Sequence, residues 1–171
     1  KTILFLITIF AVTGCSKISS GCQHCYAERM ASRLKAMGQK RYSNGFSVTL
    51  QSDLLDQPDK WINPRLIFVN SMSDLFHEKV PNHYIQKVFQ TIRRNTRHTF
   101  QILTKRSERL SKLASDLVWP DNLWMGVTVE DSDNMFRIEH LRSVPAKIRF
   151  ISCEPLLGPI HSLPLDGIDW V

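Results

Sequence analysis

Short apolar runs that alternate with helical segments constrain the fold of this 171-residue chain most strongly. The runs are rich in branched and aromatic side chains, as is typical of strands buried on both faces, and they cover residues 66–69, 100–103, 123–127 and 148–151. Segments of helical composition lie before and between them, over residues 27–37, 84–94, 107–115 and 134–142. This alternation predicts right-handed crossovers and a parallel sheet, in a barrel or in a doubly wound layer.

Polar side chains follow each predicted strand, where a parallel barrel would gather them at one rim. They are Asn70, Ser71, Asp74, Thr104, Lys105, Thr128, Glu130 and Glu154. Parallel-barrel enzymes keep their sites at this carboxyl rim. Helix caps and internal salt bridges are the structural alternatives for the same residues. Residues 168–171 resemble a sixth strand that stops as it begins, so we expect the chain to end before a barrel is complete.

Three cysteines near the start of the chain have the spacing Cys15-x6-Cys22-x2-Cys25. Soft thiolates favour zinc or an iron–sulfur cluster over magnesium or calcium, so the loop over residues 13–26 is predicted to hold a metal centre. Three thiolates leave one iron of a [4Fe–4S] cluster open, whereas a closed zinc site needs a fourth ligand such as Cys153. A disulfide is disfavoured, because a domain of this size needs no covalent staple. Spacing alone leaves the cluster and zinc as equal alternatives.

The chain is basic, with 22 Lys and Arg against 16 Asp and Glu, a net charge of +6 and a pI near 9.3. Basic proteins favour anionic partners such as nucleic acid or a phosphorylated cofactor. A zinc-binding, nucleic-acid-associated module without catalysis is therefore the alternative function.

Two interpretations of the apolar first dozen residues stay open. A buried first β-strand explains their composition, places the cysteine loop directly after that strand, and fits a cytoplasmic protein with one domain over residues 1–171. The segment is too short to span a bilayer, and under this interpretation we expect no membrane. The sequence from Val12 to Cys15 also has the form of a lipobox, in which Cys15 would carry a lipid anchor.

The segment from Val12 to Met30, with its three cysteines, resembles the signature of an uncharacterised three-cysteine-motif family of phages and bacteria. Four further segments are similar to that family's strand ends, over residues 68–77, 102–106, 126–130 and 152–158. The resemblance covers nearly everything from Val12 to Val171. It implies distant kinship with radical SAM enzymes, whose partial (β/α) barrels of TIM type hold a [4Fe–4S] cluster and S-adenosylmethionine at the carboxyl rim.

From this resemblance we expect a radical SAM-like enzyme in which Cys15, Cys22 and Cys25 bind three irons. The fourth iron would bind S-adenosylmethionine, whose reductive cleavage gives a 5′-deoxyadenosyl radical that acts on an unknown substrate. The implied cofactor-binding residues are Asn70, Ser71 and Asp74 at the methionyl amine, with Thr104 and Thr128, and the implied catalytic residues are Lys105, Glu130 and Glu154. Nucleic acid is one candidate substrate, and the resemblance also implies a methyltransferase-like partner protein.

Overall fold

Seven strands and four α-helices form within residues 6–171, the part of the chain that the computed structural model describes. The strands are β1 (Leu6–Ile9), β2 (Val12–Thr13), β3 (Thr49–Leu50), β4 (Leu66–Val69), β5 (Thr99–Thr104), β6 (Leu123–Thr128) and β7 (Ile148–Ser152). The helices are α1 (Tyr26–Ala36), α2 (Asn82–Arg94), α3 (Ser107–Leu113) and α4 (Phe136–Arg142). The elements predicted from residue 27 to residue 151 all form, with ends shifted by two residues or fewer.

Five of the strands form one parallel sheet in the order β1-β4-β5-β6-β7. Neighbours in this sheet follow the order of the chain without a reversal. A doubly wound sheet has a reversal in its strand order, so the observed topology is a single direction of winding. The predicted parallel α/β fold class is confirmed at this level.

The two faces of the sheet have different surroundings. On one face, Ile67 and Val69 of β4 and Ile102 of β5 are buried in the main hydrophobic core. On the other face, Phe68 and Leu103 are half-buried and line a cavity. The prediction that the strands are buried on both faces therefore holds for the helix-covered face and only partly for the cavity face.

The helices cover the sheet in two ways. Helix α2 buries a continuous stripe in the main core, with Ile85, Val88 and Ile92 at helical spacing. Helix α1 has few large apolar residues and instead packs Ala27 and Ala31 into a smaller, separate cluster beside the cavity. The start of α1 therefore lies at the cavity and not in the centre of the core.

The cysteine loop begins differently from the prediction. It follows β2, which pairs antiparallel with β3, and not the first strand of the main sheet. Gly14 has a φ of +80°, and an added Cβ there would lie 2.5 Å from the carbonyl carbon of Ser47. Only glycine fits this tight turn away from β2. Of the predicted first strand, residues 6–9 form β1, and residues 2–5 lie outside the described part of the chain.

Where the sequence predicted the beginning of a sixth strand, the structure has a single isolated bridge beside β7. Trp170 forms a parallel bridge with Phe150, and the amide of Ile151 donates a hydrogen bond to the carbonyl of Trp170 at 3.0 Å. The rings of Phe150 and Trp170 stack with their centroids 4.8 Å apart. Among the helices within residues 6–171, none combines the length and apolarity needed to cross a bilayer.

Candidate functional site

A cavity of about 560 Å³ lies at the carboxyl ends of β4, β5, β6 and β7. The predicted site residues that line it are Cys15, Cys22, Cys25, Asn70, Ser71, Asp74, Thr104, Lys105, Thr128 and Glu154. The structure thus brings together every predicted site residue except Glu130, which lies completely buried beside Lys105.

Apolar and aromatic side chains form much of the remaining wall. They include Ile18, Phe46, Phe68, Met72 and Leu103. Tyr26, at the start of α1, lies beside the cysteines, and its hydroxyl donates a hydrogen bond to the carbonyl of Ser71. Burial raises the pKa of Tyr26. A mostly apolar wall with a few polar groups is typical of sites that bind cofactors.

The first part of the cysteine loop is fixed by contacts from three directions. The amide of Cys15 donates to the carbonyl of Phe46 at 3.1 Å. The hydroxyl of Ser16 lies 2.8 Å from Nε2 of His77, and the guanidinium of Arg106 donates to both oxygens of Ser16 at 3.0 Å. Arg106 lies two residues after β5 and is almost fully buried. Its contacts with Ser16 therefore connect the loop to the sheet.

Cys15 has the most perturbed thiol of the loop. Burial raises its pKa to about 11, and the nearby carboxylate of Asp74 acts in the same direction, while Arg106 partly opposes them. Without a metal, this side chain is therefore a neutral thiol at neutral pH. Metal binding would release its proton, as metal binding to thiols generally does.

The carboxylate of Asp74 joins the ends of β4 and β5. It accepts hydrogen bonds from the hydroxyl of Thr104 at 2.7 Å and from the amides of Phe76 and Lys105 at 3.0 and 3.1 Å. An ionised carboxylate has about four acceptor positions, so these donors leave little unused capacity. Asp74 and Thr104 therefore line the cavity and also connect the ends of the two strands beneath it.

The side chain of Asn70 has one donor that is not used. Its Oδ1 accepts a hydrogen bond from the amide of Val12 at 2.9 Å, and a backbone N–H can only donate, so this end of the side chain must be the oxygen. The other end, Nδ2, is buried and has no hydrogen-bond partner within the described residues. Asn70 is one of the residues that line the cavity.

The loop supplies three thiols to one cavity. Cys15, Cys22 and Cys25 are half-buried and form no disulfide, whereas Cys153 packs against the main hydrophobic core. Across residues 6–171, no group of three or more His, Cys, Asp or Glu side chains is arranged to hold a metal ion. Three thiols are soft ligands of the kind that zinc and iron–sulfur clusters share.

Several residues that support the site were missed by the sequence analysis. These are Ser16, Ser19 and Gly21 of the loop and Arg137 beneath it, whereas Arg106 was recognised as a polar residue that follows a predicted strand. Of these, only Arg137 could have been recognised from the sequence as buried, because it lies four residues before Leu141 and so shares the buried face of α4. The contacts of the others depend on how the loop folds over the sheet.

Fold and site together define a singly wound parallel α/β protein with a three-cysteine cavity at its strand ends. Residues 6–171 match the family described as "Protein of unknown function (DUF5131)", and the chain belongs to this family. Comparisons with curated proteins and with solved structures gave no match.

Proposed function

We propose that this protein is a radical SAM-like iron–sulfur protein that binds a [4Fe–4S] cluster and S-adenosylmethionine in the strand-end cavity. One observation carries the proposal. Three cysteines of one loop and the polar ends of four successive parallel strands line the same cavity. In parallel α/β proteins, ligands bind at this end of the strands.

The topology supports a partial (β/α) barrel of TIM type. The strand order follows the chain, as it does around a barrel, and the inner face of β4 and β5 borders the cavity. A complete barrel of this type has eight strands, and the sheet described here has five.

Cys15, Cys22 and Cys25 are the residues that would hold the cluster, because they supply three soft thiolates and leave one iron without a protein ligand. With an electron from an external reductant, the bound cluster and S-adenosylmethionine would supply a 5′-deoxyadenosyl radical by cleavage of the sulfonium bond. The protein's own contribution is to bind, orient and exclude water.

The polar wall offers complementary groups for the methionyl part of the cofactor. The unused donor of Asn70 suits the carboxylate and not the amine, because an ammonium group is itself a donor. The remaining acceptor capacity of Asp74 and the hydroxyl of Ser71 suit the amine. Lys105 lines the cavity with an ammonium that can add to recognition of an anionic group.

The remaining predicted residues have positions that agree with contact to ligand or substrate. Thr128 lines the inner wall, and Glu154 is an exposed carboxylate at the rim. Phe46, Phe68 and Leu103 would limit the access of water to a reactive intermediate.

Anaerobic reconstitution tests the proposal. We expect the wild-type protein to bind iron and sulfide, to give an electron paramagnetic resonance signal after reduction, and to cleave S-adenosylmethionine to 5′-deoxyadenosine. Single Cys15→Ser, Cys22→Ser and Cys25→Ser variants should each lose the signal. The matched control is Cys153→Ser, which changes a thiol that packs on the core and should keep the cluster.

Two results would contradict the proposal. The first is stoichiometric zinc without iron, which would support the zinc-binding alternative, especially if Cys153→Ser also lost the metal. The second is a reducible cluster that neither binds nor cleaves S-adenosylmethionine.

A further inference from the structure

A buried ionic network lies directly beneath the second cysteine of the loop. Its centre is Glu130, which is 0% exposed two residues after β6. Oε1 of Glu130 is 2.6 Å from the ammonium of Lys105 and accepts a hydrogen bond from the Ser19 hydroxyl at 2.9 Å. Oε2 is 3.5 Å from the buried guanidinium of Arg137. Two cations therefore compensate a carboxylate whose burial alone would be costly.

Ser19 connects this network to Cys22. The amide of Cys22 donates to the carbonyl of Ser19 at 3.0 Å, and the Ser19 hydroxyl oxygen is 3.7 Å from the Cys22 sulfur. A serine hydroxyl has one proton. Because that proton is donated to Glu130, the orientation of the hydroxyl beside the sulfur is set by the carboxylate.

Gly21 brings the loop into direct contact with the same carboxylate. A Cβ added to Gly21 would lie 2.5 Å from Cδ of Glu130, which is closer than real side chains approach. The φ of Gly21 is not in the left-handed region, so close approach, and not backbone conformation, explains the glycine. Oε1 of Glu130 is held by Lys105 and Ser19, whereas Oε2 is 3.5 Å from Arg137 and makes no hydrogen bond within the described residues.

We propose that Glu130 is a positioning residue that fixes the Cys22 sulfur, through Ser19 and Gly21, for metal binding. This assigns Glu130 a different role from the catalytic one that the sequence predicted, and it places Lys105 partly in the same network. The identity of the metal group rests on the proposed function. The network itself is a property of the protein and can be tested without metal.

The first test measures thiol reactivity in metal-free protein. The variants are Gly21→Ala, Ser19→Ala and Glu130→Gln, and the alkylation of each cysteine by iodoacetamide is followed by mass spectrometry. We expect the rate at Cys22 to change in all three variants and the rate at Cys15, which other residues hold, to stay at the wild-type value.

Two control variants match these changes. Gly158→Ala adds a methyl group whose nearest neighbour would be 3.9 Å away, and Glu139→Gln removes an exposed carboxylate that pairs with Arg142. Both should leave the rate at Cys22 unchanged. If Glu130→Gln fails to fold, the other two variants decide, because they keep every charge of the network.

The second test measures iron retention against a chelator after reconstitution. Loss of a residue that orients a metal ligand typically weakens metal affinity about 10- to 100-fold, and we expect this loss in Ser19→Ala and Gly21→Ala. Wild-type retention together with wild-type reactivity of Cys22 would overturn the inference. If the wild-type protein binds no iron, the proposed function fails, and the alkylation rates alone decide the positioning role.

Discussion

At the scale of single residues, Asn70 combines an unusual backbone with two separate uses of its side chain. Its φ is +65°, a region that non-glycine residues seldom adopt and that Asn tolerates best. Its carbonyl oxygen satisfies the buried amide of Val12, which links β2 to the end of β4. Its amide nitrogen has no hydrogen-bond partner within the described residues. One end of the side chain is therefore used by the fold, and the other end is the group that we propose contacts the cofactor.

Two substitutions separate these uses. Asn70→Ala leaves the Val12 amide unpaired. It also places in the left-handed region an alanine, whose side chain cannot compensate by a hydrogen bond. We therefore expect the free energy of unfolding to fall by about 2–4 kcal/mol. Asn70→Asp keeps an acceptor for Val12 and replaces the free donor with an acceptor, but it also buries a carboxylate, so we expect its cost in stability to shrink as the pH falls and the carboxyl group is protonated.

Urea unfolding measures the first effect, and calorimetric binding of S-adenosylmethionine to the reconstituted protein measures the second. As the pH falls, Asn70→Asp should approach the stability of the wild type at the same pH, and at neutral pH it should bind the cofactor more weakly. Equal destabilisation by both substitutions at low pH would contradict the assignment of the two ends.

At the scale of elements, Gly126 determines how β6 and β7 fit together. It pairs in register with Phe150, and its missing side chain leaves space for the Phe150 ring. That ring in turn stacks on Trp170, with 8° between the two planes. The cavity side of the sheet is thus packed at this edge by an aromatic pair that needs a glycine on the neighbouring strand.

We expect Gly126→Ala to destabilise the protein by about 1–3 kcal/mol, because the new Cβ would lie 2.5 Å from a ring carbon of Phe150. Urea unfolding followed by tryptophan fluorescence measures the loss, and Trp170 should report the displaced ring. Gly158→Ala is the matched control and should change stability by less than about 0.5 kcal/mol. An unchanged unfolding midpoint in Gly126→Ala would contradict this prediction, because it would show that the Phe150 ring moves aside without a loss of stability.

The strands and helices between residues 66 and 152 could be predicted because their signals are local. A run such as residues 66–69 is apolar enough to be buried in any context, and parallel strands necessarily share one end, which located Asn70, Thr104 and Thr128 together. The pairing of β2 with β3 could not be predicted, because two residues per strand carry no periodicity. The turn at Gly14 that separates the cysteine loop from β1 depends on that pairing.

The role of Glu130 was beyond sequence reasoning for a different reason. The polar residue after β6 was recognised, but the partners of its carboxylate lie on the loop, after β5 and on α4. A sequence shows that a buried charge at a strand end is costly. It does not show which distant groups compensate that charge. The same holds for Arg106, whose contact with Ser16 spans 90 positions.

At the scale of the whole molecule, stability should depend on pH through buried histidines. His98 is almost completely buried at the start of β5, and its Nε2 lies 3.1 Å from the carbonyl of Pro58. Burial lowers the pKa of His98, and the positive charges of Arg97 and Arg65 add to this effect. Burial also lowers the pKa of His77. The folded protein therefore disfavours the charged form of both rings.

The sign of the effect follows from proton linkage. Below the unfolded-state pKa of about 6.5, the unfolded chain binds protons that the folded protein rejects, so stability falls as the pH falls and is constant above that value. We expect the urea midpoint to decrease between pH 7.5 and pH 5.5, and His98→Gln, which keeps a donor for Pro58, to decrease less. Equal slopes for the two proteins would rule out His98 as a source of the dependence.

The contact between Ser19 and Glu130 also has a consequence for biosynthesis. The two residues are 111 positions apart in the chain. A ribosome that adds about 5–20 residues per second needs about 6–22 s to cover that distance. The Cys22 thiol of the nascent chain is therefore made several seconds before the carboxylate that we propose positions it.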